Sequence, residues 1–176
     1  MRQLVFDLGF HRGEDTAYYL AMGYEVVAVD ASAQLVADGR ERFGVALASG
    51  QLMLLHAAVV SEAQRSEQQR VAFYPHVERS EWGTVDPRWV ERNSRLHGLP
   101  HAQPVWVQAV SLPQLIQRYG CPEYLKIDIE GLDSAVLADL GLVDERPCSV
   151  SWETGKDSLR QVWRQHRQLA QLGYSR

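Results

Sequence analysis

The chain has 176 residues, 45% of them apolar and 23% charged, with a formal net charge of −4. That length accommodates one core rather than two, and the acidic balance gives no footprint for nucleic acid or an anionic membrane. No apolar run reaches the roughly 20 residues of a membrane helix, and the N-terminus enters a strand at once, leaving no room for a signal peptide, so the expected setting is cytoplasmic.

A first strand is predicted at 4–8 and a helix at 15–22, broken by Gly23. A second strand follows at 24–30. Ser32 then suits the N-cap of a helix whose apolar face is Leu35, Val36, Gly39 and Phe43. A third strand is expected over 52–60, and 61–70 reads as a solvated turn. Strands at 71–74 and 105–110 are expected to extend the sheet. They flank an irregular insertion at 78–104 whose arginines and acids balance; a segment of this kind is expected to cover an acceptor site. Alternation resumes with a helix at 112–119, a strand at 124–129, a helix marked by Leu132, Val136 and Leu140, and a strand at 149–153. The last helix places Leu159, Val162, Trp163, His166, Leu169 and Ala170 on one face. The alternation predicts a single α/β domain over 1–176, with a mostly parallel sheet and helices on both faces. Cys121 and Cys148 lie in no metal-ligand spacing and are expected to be reduced thiols.

Three of the predicted strands run from apolar residues into a carboxylate: Asp7, Asp30 and Asp128. Buried parallel strands present their C-terminal ends to a ligand. The first turn decides which ligand. A dinucleotide fingerprint needs G-x-G-x-x-G, yet counting from Gly9 the next two positions are His11 and Glu14. Asp7 would also repel a pyrophosphate, which disfavours a nicotinamide oxidoreductase. S-adenosylmethionine, with an ammonium, a sulfonium and two ribose hydroxyls, fits better. Asp7 can hold the turn or the ammonium, Asp30 the ribose hydroxyls, and Gly9 and Gly13 let the backbone pass close to the methionine moiety.

Asp128 and Glu130 are two residues apart and would share a face of an extended strand, with Glu153 nearby at the same sheet edge. Methyl transfer to oxygen needs a hydroxyl held in line and its proton removed. Asp128 would orient a partner, and Glu130 or Glu153 would accept the proton. Alternatively the three acids hold a divalent cation that lowers the hydroxyl pKa, although no metal ligand is assigned. Trp82, Thr84, Trp89, Arg92 and Asn93 are candidates for the acceptor pocket, the two tryptophans either stacking on a sugar ring or anchoring the insertion.

Four stretches resemble the FkbM-type family of S-adenosylmethionine-dependent methyltransferases: Asp7-Leu8-Gly9-Phe10-His11-Arg12-Gly13-Glu14-Asp15-Thr16, Val26-Val27-Ala28-Val29-Asp30-Ala31, Ser80-Glu81-Trp82-Gly83-Thr84 and Tyr124-Leu125-Lys126-Ile127-Asp128-Ile129-Glu130-Gly131. The last carries the family's K-I-D-x-E-G signature. The family usually has a small residue and then asparagine where Phe10 and His11 stand. The resemblance implies a class I methyltransferase (Rossmann-like) fold and, most often, O-methylation. By position, Asp7, Gly9, His11, Gly13, Asp15 and Thr16 would line the methionine side, Asp30 and Ala31 the ribose, and His56 and Ala57 the adenine. It also implies two further strands after the last helix. Without them 149–153 is an edge strand that needs cover, so either a truncated sequence or a homo-oligomer is expected. The expected activity is O-methylation of a small hydroxylated acceptor such as a sugar or glycoconjugate. The alternative is a methyltransferase-like binding or scaffold domain without turnover.

Overall fold

The computed structural model describes residues 3–76, 79, 82–97, 103–155 and 157–175. Five strands form a parallel sheet in the order β3-β2-β1-β7-β8: β1 (Leu4–Leu8), β2 (Glu25–Asp30), β3 (Leu52–His56), β7 (Tyr124–Ile127) and β8 (Ser149–Trp152). Phe6 pairs with Val27 on one side and Leu125 on the other, and Leu125 pairs with Val150. These strands read as continuous apolar runs because helices cover both faces. On one face Phe6, Leu8, Val27, Val29, Leu125 and Ile127 pack with residues of α6 (Leu112–Tyr119), α7 (Asp133–Ala138) and α8 (Leu159–Gln171). On the other, Val5, Val26, Ala28 and Leu54 pack with Tyr19 of α1 (Glu14–Ala21) and Val36 of α2 (Ala33–Arg42). A short helix, α3 (Gly44–Ala48), leads into β3.

From β1 the chain winds outward through β2 to β3, then returns to the opposite side of β1 for β7 and β8. The reversal lies between β1 and β7. In open α/β sheets the crevice at the carboxyl ends of such strands is the ligand site.

Five expectations need correction. The strand expected over 52–60 is broken after His56. Ala57 donates its N–H to the Asp30 carbonyl, and β4 (Ala58–Val59) then pairs with β6 (Val105–Val110) instead of β2. With β5 (Arg70–Phe73) it forms a separate sheet ordered β4-β6-β5, so 71–74 and 105–110 do not extend the main one. Within the expected solvated turn lies α4 (Glu62–Glu67), whose N-cap Ser61 accepts from the Gln64 N–H. Its Glu62 carboxylate also accepts from Ser111 Oγ, and its N–H donates to Asp139. Glu62, Ala63, Gln64, Arg65 and Glu67 are good helix formers behind a serine N-cap, but six residues are too few for a helix to hold by itself, and those partners, distant in sequence, stabilise it. The strand expected at 124–129 ends at Ile127. Finally, Leu159 and Trp163 on α8 are exposed, whereas Leu169 and Gln165 are buried. Of the strand expected at 149–153, β8 covers Ser149–Trp152 and borders the sheet among the described residues.

The insertion contains α5 (Pro87–His97) and a bridge between Tyr74 and Thr84. Ser80 and Glu81 lie outside the described residues. No helix among the described residues is long and apolar enough to cross a membrane.

Candidate active site

The turn after β1 is held between the ends of β2 and β7. Gly9 and Phe10 donate N–H groups to the Val29 carbonyl at 3.0 Å, and Asp128 donates to the Leu8 carbonyl at 2.8 Å. Gly9 has φ +98°, and a Cβ there would stand 1.8 Å from the Asp128 carbonyl oxygen. The glycine is therefore required by the contact between two strand ends. Gly13 answers a similar demand, since a Cβ would meet the Phe10 and Phe43 rings at 2.6 and 2.7 Å.

Around this turn lies a cavity of about 190 Å³. Gly9, Phe10 and His11 of the turn line it, with the apolar residues Val29, Ala31, Leu35, Ala57, Ala58, Val59 and Phe73. Five carboxylates, those of Glu14, Asp15, Asp30, Asp128 and Glu130, also line it, together with Lys126. Gly83, Thr84 and Val85 of the insertion and Ile129 complete the lining. Of the residues expected at a cofactor, Gly9, His11, Asp15, Asp30, Ala31 and Ala57 line this space. Asp7, Gly13, Thr16 and His56 do not. Asp7 is fully buried, accepting from Thr16 Oγ1 at 2.7 Å and Lys126 Nζ at 3.2 Å. The exposed His56 ring sits 3.1 Å from the Ala31 carbonyl. Thus Asp7 and Thr16 brace β1, α1 and β7 beneath the cavity.

Lys126, a member of the K-I-D-x-E-G stretch with no role assigned from the sequence, sits among three carboxylates. Its Nζ is 3.2 Å from Asp7, 3.0 Å from Asp15 and 3.8 Å from Asp128. Burial alone would lower its pKa, but the carboxylates of Asp7, Asp15 and Asp128 outweigh it and hold the ammonium above its ordinary value. Burial pushes Asp7 upward, with Lys126 and Thr16 pulling against it. The available signal was a lysine between Leu125 and Ile127 in an otherwise apolar strand; charged residues are buried only with partners. At the end of β2, Asp30 accepts from the His11 and Ser32 N–H groups, both at 2.8 Å. Burial raises its pKa against those two bonds.

Asp128, Glu130 and Glu153 do come together, each offering a carboxylate oxygen within 4.8 Å of the others. Two-residue alternation on a strand is not the cause. Beyond Ile127 the chain turns, with Glu130 at φ +53° and Gly131 at φ +107°. A left-handed conformation at a non-glycine residue persists only where its surroundings impose it. Here Asp133, at the start of α7, accepts from the Ile129 and Gly131 N–H groups, each at 3.2 Å. From the other side Thr84 Oγ1 donates to the Glu130 carbonyl at 2.7 Å. Burial pushes the Asp133 carboxyl up to about 6, against the two backbone donors. Across the site Gln165 holds the chain around Glu153: it accepts from Trp152 Nε1 at 3.0 Å and donates to Asp157 at 2.7 Å. Asp133 and Gln165 were not singled out from the sequence, and a carboxylate in a helix's first turn was the one local signal for Asp133. The trio's spacing also suits the oxygen ligands of a divalent cation.

The insertion residues divide. Thr84 braces the Glu130 loop. Trp89 packs on Gly131, where a Cβ would stand 2.3 Å from the indole, and Arg92 lies 4.5 Å over the same ring. Trp82 stands edge-on to His76 with Arg79 over it, and Asn93 is buried.

A parallel sheet with its crevice at the β1–β7 reversal, an acidic cavity and adjoining carboxylates define a Rossmann-like α/β enzyme. The sequence matches the Methyltransferase FkbM domain over residues 7–175, and the chain belongs to that family of methyltransferases. The family implies S-adenosylmethionine as methyl donor. No curated protein and no solved structure matches the chain significantly.

Proposed function

We propose that the chain is an S-adenosylmethionine-dependent O-methyltransferase acting on a small hydroxylated acceptor, such as a sugar or glycoconjugate. The observation that carries the reading is the make-up of the cavity lining, which combines apolar residues from Val29 to Phe73 with five carboxylates beside Lys126. An adenine suits the first. The second favours an ammonium, a sulfonium and ribose hydroxyls and disfavours phosphate. S-adenosylmethionine supplies an electrophilic methyl group when bound there.

Asp30 is the acceptor for ribose hydroxyls. Each of its oxygens takes one backbone N–H and keeps a lone pair for a ligand. Lys126 bridges Asp7, Asp15 and Asp128, so the fully buried Asp7 has a charged partner while the cavity stays acidic. Asp128 would orient the incoming hydroxyl, and Glu130 or Glu153 would accept its proton as the methyl group passes from the sulfonium to the hydroxyl oxygen and leaves S-adenosylhomocysteine. Free Cys121 and Cys148 suit a cytoplasmic setting.

Equilibrium dialysis with labelled S-adenosylmethionine, with NADH as comparison, tests the donor. Label transfer to a panel of glycosides and phenols tests the reaction. Binding of NADH in place of S-adenosylmethionine would overturn the reading, and donor binding with no transfer to any acceptor would favour a binding domain without turnover.

A further inference from the structure

A second cavity, of about 420 Å³, opens between α5, the start of α7 and the segment leading into α8. Arg92, Ser134, Ala135, Glu153, Asp157 and Gln161 are among its walls. It meets the first cavity at the carboxylate trio: Asp128 and Glu130 line the first, Glu153 lines the second, and their oxygens lie within 4.8 Å.

We infer that the methyl acceptor binds in this second cavity, presents its hydroxyl to the trio from the side opposite the donor, and is a polyhydroxylated ring and not a flat phenol. The inference rests on the methyltransferase reading above. In-line transfer needs donor and acceptor on opposite sides of the migrating group, and the trio links the two linings, with Asp128 and Glu130 in the first cavity and Glu153 in the second.

The lining selects the ligand class. Asp157 takes one bond from Gln165 at 2.7 Å and keeps further acceptor capacity. Ser134 Oγ receives Gln165 Nε2 at 2.5 Å and retains its own O–H as a donor. Arg92 adds guanidinium donors. Hydroxyls, which donate and accept, satisfy such a mixed wall; an apolar ring would strand its polar groups away from water. Trp89, the indole in this wall, is already engaged by Gly131 and Arg92, so it offers little free face to an aromatic acceptor. The walls are also fixed in advance, since the buried Asp133 and Gln165 hold the chain on either side.

The test is ligand-observed NMR titration of the full chain, with and without saturating S-adenosylhomocysteine, using methyl α-glucopyranoside, methyl α-rhamnopyranoside and catechol as probes. Ala135→Leu narrows the cavity and Arg92→Ala removes a donor. The expected result is glycoside binding weakened at least tenfold by either variant, with S-adenosylhomocysteine affinity unchanged. Should Ala135→Leu not fold, Arg92→Ala decides. Glycoside binding indifferent to the folded variants, binding of catechol alone, or no binding of any probe would each overturn the inference. Failure of S-adenosylhomocysteine to bind would instead remove the methyltransferase reading, and the glycoside titration without it still decides the cavity.

Discussion

The Lys126 ammonium lies 3.2 Å from the carboxylate of Asp7, a residue with no exposed surface. The pair joins neighbouring strands β1 and β7 directly beneath the acidic cavity. Replacing Lys126 with methionine leaves Asp7 charged and buried without its partner, a loss of about 3–5 kcal/mol. Urea unfolding at neutral pH measures it. The deficit should shrink in acid, where Asp7 in the variant can take up a proton, and Lys126→Met/Asp7→Asn should recover part of the loss. A variant as stable as the wild type at pH 7 would show that the pair carries little weight.

Asp133 gives stability a distinct pH dependence. Its carboxyl titrates at about 6 in the folded chain against an ordinary 3.8, so between those values the folded state holds a proton that the unfolded chain has released. Its contribution is fully present below about pH 4 and is lost as pH rises to 6. Asp139, raised by burial to about 6 as well, acts in the same direction. Asp133→Asn should flatten the slope of unfolding free energy against pH over that window, and Asp139→Asn should flatten it further. Denaturant titrations at half-unit pH steps read the slope directly, and an unchanged slope in Asp133→Asn would contradict the assignment.

The same substitution separates positioning from folding. An asparagine side chain has one carbonyl oxygen where Asp133 offers two carboxylate oxygens to the Ile129 and Gly131 N–H groups. Losing one of these bonds should cost ~1–3 kcal/mol and should slow methyl transfer, because Glu130 would no longer be held at φ +53°. Donor affinity should change little. A loss of stability with full turnover would make Asp133 purely structural.

Glycine at position 9 answers to Asp128. Gly9→Ala brings a Cβ within 1.8 Å of that residue's carbonyl oxygen and should cost at least ~4 kcal/mol, in the range reserved for disrupted cores. Gly23→Ala, also at positive φ but with nothing within 4 Å, should cost only ~1–2 kcal/mol. Thermal melts of the two variants give the comparison.

Within the trio, Glu130→Gln and Glu153→Gln distinguish base from scaffold. The residue that accepts the proton should lose ~10²–10⁴-fold in kcat with donor binding intact, and the other should lose far less. Wild-type turnover in both would remove carboxylate base catalysis from the reaction. Adding a chelator to the wild-type assay separately tests whether the trio works through a cation.

The alternation of apolar runs and helical stretches was enough to specify an α/β chain with β1, β2, β7 and β8 near their observed positions, because parallel strands covered on both faces must be apolar throughout. The acids ending those strands and the K-I-D-x-E-G stretch identified the family, since both are properties of adjacent residues. Which carboxylates face a ligand was not local information. Asp7 follows the same apolar-then-acid pattern as Asp30, yet it ends buried against Lys126, 119 residues away, while Asp30 lines the cavity. Strand alternation implied that Asp128 and Glu130 point together, and they do converge, but through a left-handed turn braced by Thr84 and Asp133. Burial and long-range hydrogen bonds decide where a charge resides. Those contacts exist only once the chain has folded, so the tertiary structure alone distinguished the residues that line the site from the residues that hold it.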